Sequence, residues 1–242
     1  SVRVLLNFPN NPTGYTPTEV EAAGLRDALV EAAEGGAAVL VMIDDAYFGL
    51  TYEDGLARES LFASLANAHR NILACKVDGA TKEDFAWGFR VGFVTLGSAG
   101  LETAQYDALE QKLKGSIRSS VSNSNSTGQH ILLRLLRQES YRKEKEEFRK
   151  KLERRYAAIR RILEKWRSGR ALEELPFNSG YFMSFACNGI SAERLRRTLL
   201  EDGIGTIAIG ERYLRVAYST VDEGDLETLF SEIFAKADAL TT

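Results

Sequence analysis

The chain has 242 residues, 44% of them hydrophobic and 27% charged, with a formal net charge of -3. That length exceeds one ordinary domain and can bury a sizeable core without disulfides or metal. The near-neutral charge gives no reason to expect nucleic acid or an anionic membrane as partner, and no stretch is apolar for long enough to span a bilayer. Cys75 and Cys187 are too few and too distant for a disulfide framework, which points to a reducing cytoplasm. His69 and His130 have no metal-type spacing, so no metal site is expected.

Val2 to Leu6 is a short apolar run that reads as a strand, leading into the loop Asn7-Phe8-Pro9-Asn10-Asn11-Pro12-Thr13-Gly14. Thr16-Pro17-Thr18-Glu19 has a capping-box shape, with Thr16 as N-cap and Pro17 at the first helical position. A helix to about Glu34 follows, stopped by Gly35-Gly36. Ala38 to Ile43 is continuously apolar and ends at Asp44-Asp45, which suits a strand buried on both faces. Strand, loop, helix and strand make a βαβ unit, hence a parallel sheet.

Further strand-like runs are Asn71 to Val77, before Asp78-Gly79-Ala80-Thr81-Lys82, and Arg90 to Leu96. Helical patterning extends from Thr127 to about Ser168, and Glu139 to Arg161 is dense in interleaved charges. Such interleaving marks the solvated face of a long helix with intrahelical pairs, not a nucleic-acid contact. After Gly169, short apolar runs (Tyr181 to Ala186, Ile204 to Ile209, Tyr213 to Ala217) alternate with helical stretches at Ala192 to Glu201 and Gly224 to Ala239. The expected class is α/β: a mostly parallel sheet with flanking helices over residues 1–150, then a small α+β domain over 151–242.

Singly, the polar residues at the strand ends are ordinary. Asn11-Pro12-Thr13-Gly14 alone is a turn signal. A carboxylate at Asp44, at the end of a buried strand, needs a cationic partner to offset its desolvation. A lysine such as Lys82, in a partly dry pocket near other cations, becomes a nucleophilic amine. Arg90, between Gly88 and Gly92, offers a planar donor fork suited to phosphate.

Taken in order, Asn-Pro-Thr-Gly, then Asp-x-Ala-Tyr after the next strand, then Thr-Lys with Gly-x-Arg-x-Gly form a compound pattern. It resembles the class I/II aminotransferases of fold type I, the pyridoxal-phosphate-dependent transferases, over nearly the whole chain. The resemblance implies that Lys82 carries pyridoxal 5'-phosphate and shuttles a proton from the substrate Cα. It implies that Asp44 keeps the pyridine nitrogen protonated, that Tyr47 and Asn11 hydrogen-bond the ring oxygen, and that Thr81 and Arg90 bind the phosphate. Tyr213-Leu214-Arg215-Val216-Ala217 resembles the strand whose arginine, here Arg215, clamps the substrate α-carboxylate. Asn178 to Phe182 resembles the glycine-aromatic stretch entering that domain. Ser116 to Asn123 resembles the segment by which an arginine, here Arg118, reaches a distal carboxylate across a dimer interface, although the prolines usual there are absent. The implied substrates are an amino acid and a 2-oxo acid, and the implied active form is a homodimer.

Two departures stand out. Gly79 occupies the place of a phosphate-binding serine, and Glu83-Asp84 makes the stretch after Lys82 unusually acidic, able to raise the lysine's pKa or to pair with nearby bases. The family's N-terminal half, with its phosphate loop and ring-stacking aromatic, cannot be placed here, so a fragment with poor cofactor binding and slow or absent turnover is expected. The same residues would also serve a lyase or decarboxylase, or an aminotransferase-like sensor domain of a transcriptional regulator.

Overall fold

The computed structural model describes residues 1–166 and 171–241, which divide into two compact units. The first comprises residues 1–8, 17–49 and 55–145; the second comprises 9–16, 50–54 and 146–242.

The first unit opens with β1 (Val2–Asn7), α1 (Glu19–Glu34) and β2 (Val39–Asp44). The capping box of α1 is built by Thr18 and Glu21, two residues beyond the expected cap at Thr16. Thr16 is occupied elsewhere: its backbone N–H donates to Asn178 Oδ1 (2.8 Å) and its hydroxyl bonds that of Ser179 (2.7 Å). A side chain committed to a tertiary network cannot also cap a helix, so the next Thr takes over. Then come α2 (Leu61–Leu65), β3 (Ile72–Gly79), α3 (Ala80–Glu83) and β4 (Gly92–Gly97).

The sheet runs β1-β2-β3-β4, parallel except for the antiparallel β4. Val39, Val41 and Ile43 of β2 and Ile72 and Ala74 of β3 are buried with Ala22, Leu29 and Ala33 of α1 and Leu61 and Leu65 of α2. The opposite face is open, correcting the expectation that β2 is buried on both sides. Leu5 and Met42, partners in the ladder, are 65% and 42% exposed, and Val94, opposite Val77, is 49% exposed. Period-two geometry sends alternate side chains to opposite faces, and helices α1 and α2 pack on one.

The unit continues with α4 (Thr103–Ser120), α5 (Ser126–Leu136) and the start of α6 (Tyr141–Lys165). The sequence pattern missed α4, whose capping box uses Glu102 and Gln105 where Ser or Thr usually signals a helix start. The single helix expected from Thr127 is two, because the chain turns at 137–140; its expected end near Ser168 lies outside the described residues.

In the second unit, α6 continues to Lys165 and is followed by β5 (Leu172–Glu174), β6 (Met183–Cys187), α7 (Ala192–Glu201), β7 (Ile207–Ile209), β8 (Tyr213–Val216) and α8 (Leu226–Ala239). The antiparallel sheet has the order β5-β6-β8-β7. Tyr156, Ile159 and Ile162 of α6 join Leu195 and Leu199 of α7 and Phe230, Ile233 and Phe234 of α8 in its core. Of the expected intrahelical pairs on α6, Arg149 makes two, with Glu146 (2.9 Å) and Glu153 (3.2 Å). Other bases of the helix pair away from it: Arg154 with Glu223, Arg160 with Glu174 and Lys165 with Glu227, while Arg155 is buried and bonded to Ser219 and Asp222.

The segment 9–16 is tied into this unit through Gly14. Its carbonyl accepts from the backbone N–H groups of Asn178 (2.9 Å) and Ser179 (2.8 Å) and from the Ser179 hydroxyl (2.9 Å). Gly14 has φ +78°, and a Cβ there would stand 2.1 Å from the carbonyl oxygen of Phe182. Gly14→Ala is therefore expected to destabilise the unit by about 3 kcal/mol or more, through overpacking and a left-handed backbone together. Urea denaturation followed by near-UV circular dichroism checks this.

Candidate active site

Within the first unit, polar residues gather where β2 and β3 end. Parallel pairing sets Asp44 opposite Asn7 on one side and Val77 on the other. The carboxylate of Asp44 accepts from the backbone N–H of Ala46 (3.1 Å), and its carbonyl accepts from the Asn7 amide (3.2 Å). A carboxylate so placed retains lone pairs for a further donor. Tyr47, three residues on, is buried. The Lys82 Nζ lies 5.7 Å from the centre of the Tyr47 ring, in cation–π range. Thr81 and Lys82 sit on α3, directly after β3, and both are half-buried.

The chain from Lys82 to Arg90 is unusual backbone. Phe85 and Arg90 have φ +54° and +51°, a region that L-residues with side chains seldom occupy. Arg90 itself is exposed. Gly79 is required by packing: a Cβ there would meet the Val91 carbonyl oxygen at 2.7 Å. The acidic pair after Lys82 is matched by a base. Lys145 of α6 donates to Glu83 (3.1 Å) and Asp84 (3.0 Å), and the Tyr141 hydroxyl bonds Asp84. Burial disfavours the Lys145 ammonium, but the hydrogen bonds and charges of Asp84 and Glu83 outweigh it and hold the group above the usual lysine range. The doublet Glu83-Asp84 was a visible sign of such a partner; its position on α6 was not legible, because only the fold brings residues 61 apart together.

Asp45 faces a different environment from Asp44. It is 4% exposed, and its Oδ2 has no hydrogen-bond partner among the described residues. Burial pushes its carboxyl above the ordinary range, while a hydrogen bond with Ser60 and the Lys76 charge pull the other way.

Within the second unit, Arg215 on β8 donates from Nη1 to Asn11 Oδ1 (2.8 Å). Its guanidinium carbon lies 4.3 Å above the centre of the Phe182 ring, and its buried Nε has no hydrogen-bond partner among the described residues. The loop bearing Asn11 is fixed locally: Asn10 Oδ1 accepts from the Thr13 N–H and hydroxyl, and the Ser184 hydroxyl donates to the Pro12 carbonyl (2.8 Å). A planar cation stacked on an aromatic, with a donor still unused, suits an added carboxylate. The structure thus brings Lys82 to Tyr47 and Asn11 to Arg215. Arg118 stands on the last turn of α4, exposed and bonded to Ser122 Oγ (2.8 Å). Among the described residues no cluster of three or more His, Cys, Asp or Glu can hold a metal, and no helix is long and apolar enough to cross a membrane.

A raised carboxyl pKa stabilises the fold below the ordinary carboxylate range and forfeits that stability as pH rises through the folded value. Asp45→Asn removes the buried charge, so it is expected to be more stable than the native chain near pH 7 and to lose that advantage as pH falls into the ordinary carboxylate range. Paired urea titrations near pH 7 and in that range read the difference.

The sequence profile of the aminotransferase class I and II family matches residues 2–233. No curated protein sequence matches the chain. Among solved structures, an aminotransferase from Anaerococcus prevotii is similar at 25% identity and a TM-score of 0.82, over 99% of this chain and 57% of its own length. An aromatic aminotransferase from Pyrococcus horikoshii is 22% identical with a TM-score of 0.72, covering 99% of this chain and 59% of that one. The α-aminoadipate aminotransferase LysN from Thermus thermophilus, solved in complex with N-(5'-phosphopyridoxyl)-L-leucine, is 20% identical with a TM-score of 0.72, over 99% and 72%. The chain therefore spans less than two thirds of the length of the first two of these structures. With the profile matched from one end of the fold almost to the other, the chain belongs to the class I and II aminotransferase family.

Proposed function

We propose that this chain is the lysine-bearing part of a transaminase that uses pyridoxal 5'-phosphate to move an amino group from an amino acid to a 2-oxo acid. The observation that carries the reading is the Lys82 amine over the Tyr47 ring, on the turn directly after β3, with Asp44 closing the neighbouring strand. The donor set fits the cofactor: an amine for its aldehyde, a carboxylate with spare lone pairs for a protonated ring nitrogen, a phenol for the ring oxygen, and Thr81 with Arg90 for the phosphate. When bound, pyridoxal phosphate supplies an electron sink for the charge left on the substrate carbon.

The chain's own residues do the rest. Lys82 would hold the cofactor, and its Nζ would move a proton between the substrate Cα and the cofactor within each half-reaction. Asp44 keeps the ring nitrogen protonated by offering it a fixed negative charge. Arg215 binds the substrate carboxylate through its fork, and Phe182 beneath it keeps the guanidinium plane from turning. Asn11 bonds one edge of that fork. Arg118 would contribute to a dicarboxylic substrate across a homodimer, and the cytoplasm is the proposed compartment.

Incubation with pyridoxal phosphate, borohydride reduction and peptide mass spectrometry is expected to find one pyridoxyl adduct, on Lys82, that disappears in Lys82→Ala. Adducts scattered over surface lysines, with none on Lys82, in this chain and in the full-length protein alike would sink the assignment. For Arg118, the protein carrying Arg118→Ala should lose about tenfold or more in kcat/KM on aspartate while keeping its rate on alanine. An equal loss on both substrates removes the dicarboxylate role.

A further inference from the structure

The acidic doublet beside Lys82 has a counterpart that the transaminase reading does not use. Glu83 and Asp84 lie next in sequence to the lysine whose amine must react, and a carboxylate within reach of an ammonium favours the charged, unreactive form. In the structure both acids turn to α6. Lys145 Nζ bridges them at 3.1 and 3.0 Å, and Tyr141 adds its hydroxyl to Asp84. These contacts are not loose surface pairs: the side chains of Lys145, Glu83 and Asp84 are 32%, 30% and 13% exposed.

The backbone supplies a second reason for a clamp. Lys82 precedes Phe85 and Arg90, both left-handed, and such residues persist only where surroundings over-determine them. From α5, Asn125 Nδ2 donates to the Phe89 carbonyl (2.8 Å), and Leu132 packs with Ala80, Ala86 and Val91. The α6 contacts fix the other end of the loop, one and two residues after Lys82.

We propose that Lys145, with Tyr141, is a positioning residue for Lys82: it draws Glu83 and Asp84 to α6, fixing the turn and withholding their charge from the reactive amine. This rests on the assignment of Lys82 as the cofactor lysine. Other charged or titratable groups on the elements around Lys82 include Tyr47, Asp44 and the buried Asp45 at the end of β2, Lys76 and Asp78 on β3, and Arg90 at the end of the loop. Lys76 and Asp78 pair with each other at 2.5 Å. Losing Lys145 therefore leaves Glu83 and Asp84 as the new uncompensated charges nearest in sequence to Lys82.

The test needs no bound cofactor. Limiting acetic anhydride, applied across a pH series, labels only unprotonated amines, and peptide mass spectrometry reads Lys82 against a surface lysine in the same chain. Lys145→Met is expected to move the Lys82 profile to higher pH by about half a unit or more, since uncompensated carboxylates favour the ammonium. Lys145→Arg should leave it in place, and adding Glu83→Gln and Asp84→Asn to Lys145→Met should bring it back. An unmoved profile in a folded Lys145→Met chain overturns the proposal, as does a shift that the neutralised acids fail to reverse. Should Lys145→Met not fold, Glu83→Gln with Asp84→Asn beside an intact Lys145 reads the same relation with the opposite sign. The profile then falls to lower pH, and no movement overturns the proposal. A Lys82 profile that shifts in Lys145→Met, together with no pyridoxal phosphate trapped at Lys82 in either this chain or the full-length protein, would support the charge relation and refute the cofactor assignment.

Discussion

Parallel pairing of β2 with β3 is the constraint from which the first unit's chemistry follows. Parallel strands end on the same side, so the residues that continue beyond them are brought together however far apart they lie in sequence. Here the ladder sets Asp44 opposite Val77, and two residues later β3 gives way at Gly79 to the turn that carries Lys82. Asp44, Tyr47 and Lys82 share a neighbourhood because one register is satisfied along the whole of β2. The hydrophobic face of Val39, Val41 and Ile43 fixes that register: a slip of one residue would turn all three away from α1 and α2.

The second unit meets a different requirement, holding an arginine rigid while leaving it receptive. Arg215 comes from a strand whose neighbours Leu214 and Val216 are buried, so its backbone is pinned by the core. Phe182 supports the guanidinium face and Asn11 one edge. The loop bearing Asn11 is in turn held by one carbonyl, that of Gly14, with three donors converging on it. The tolerance is small, because Gly14 touches the backbone of the same segment that bears Phe182.

Much of this was legible in the sequence where the signal was local. The strand ends at Asp44 and before Lys82, the stop at Gly35-Gly36 and helix α7 from Ala192 to Glu201 follow from periodicity and capping. What escaped was set by tertiary contact. Thr16 looks like a helix cap but is spent on Asn178 and Ser179, 162 and 163 residues away. The open face of β2 was hidden because a continuous apolar run reads as buried on both sides, whatever packs there. The partners Lys145 and Phe182 were invisible as partners, since no spacing rule links a residue on a long helix or a second strand to a loop.

The open face of the first sheet has a thermodynamic consequence. Heat capacity and denaturant sensitivity of unfolding both scale with the surface that folding hides. Leu5, Met42 and Val94 remain in contact with water in the folded chain, so unfolding exposes less new apolar surface than the length of the chain would suggest. The stability curve of this chain is accordingly flatter with temperature, and its denaturant slope shallower, than for a protein of the same 242 residues with both faces of its sheet covered.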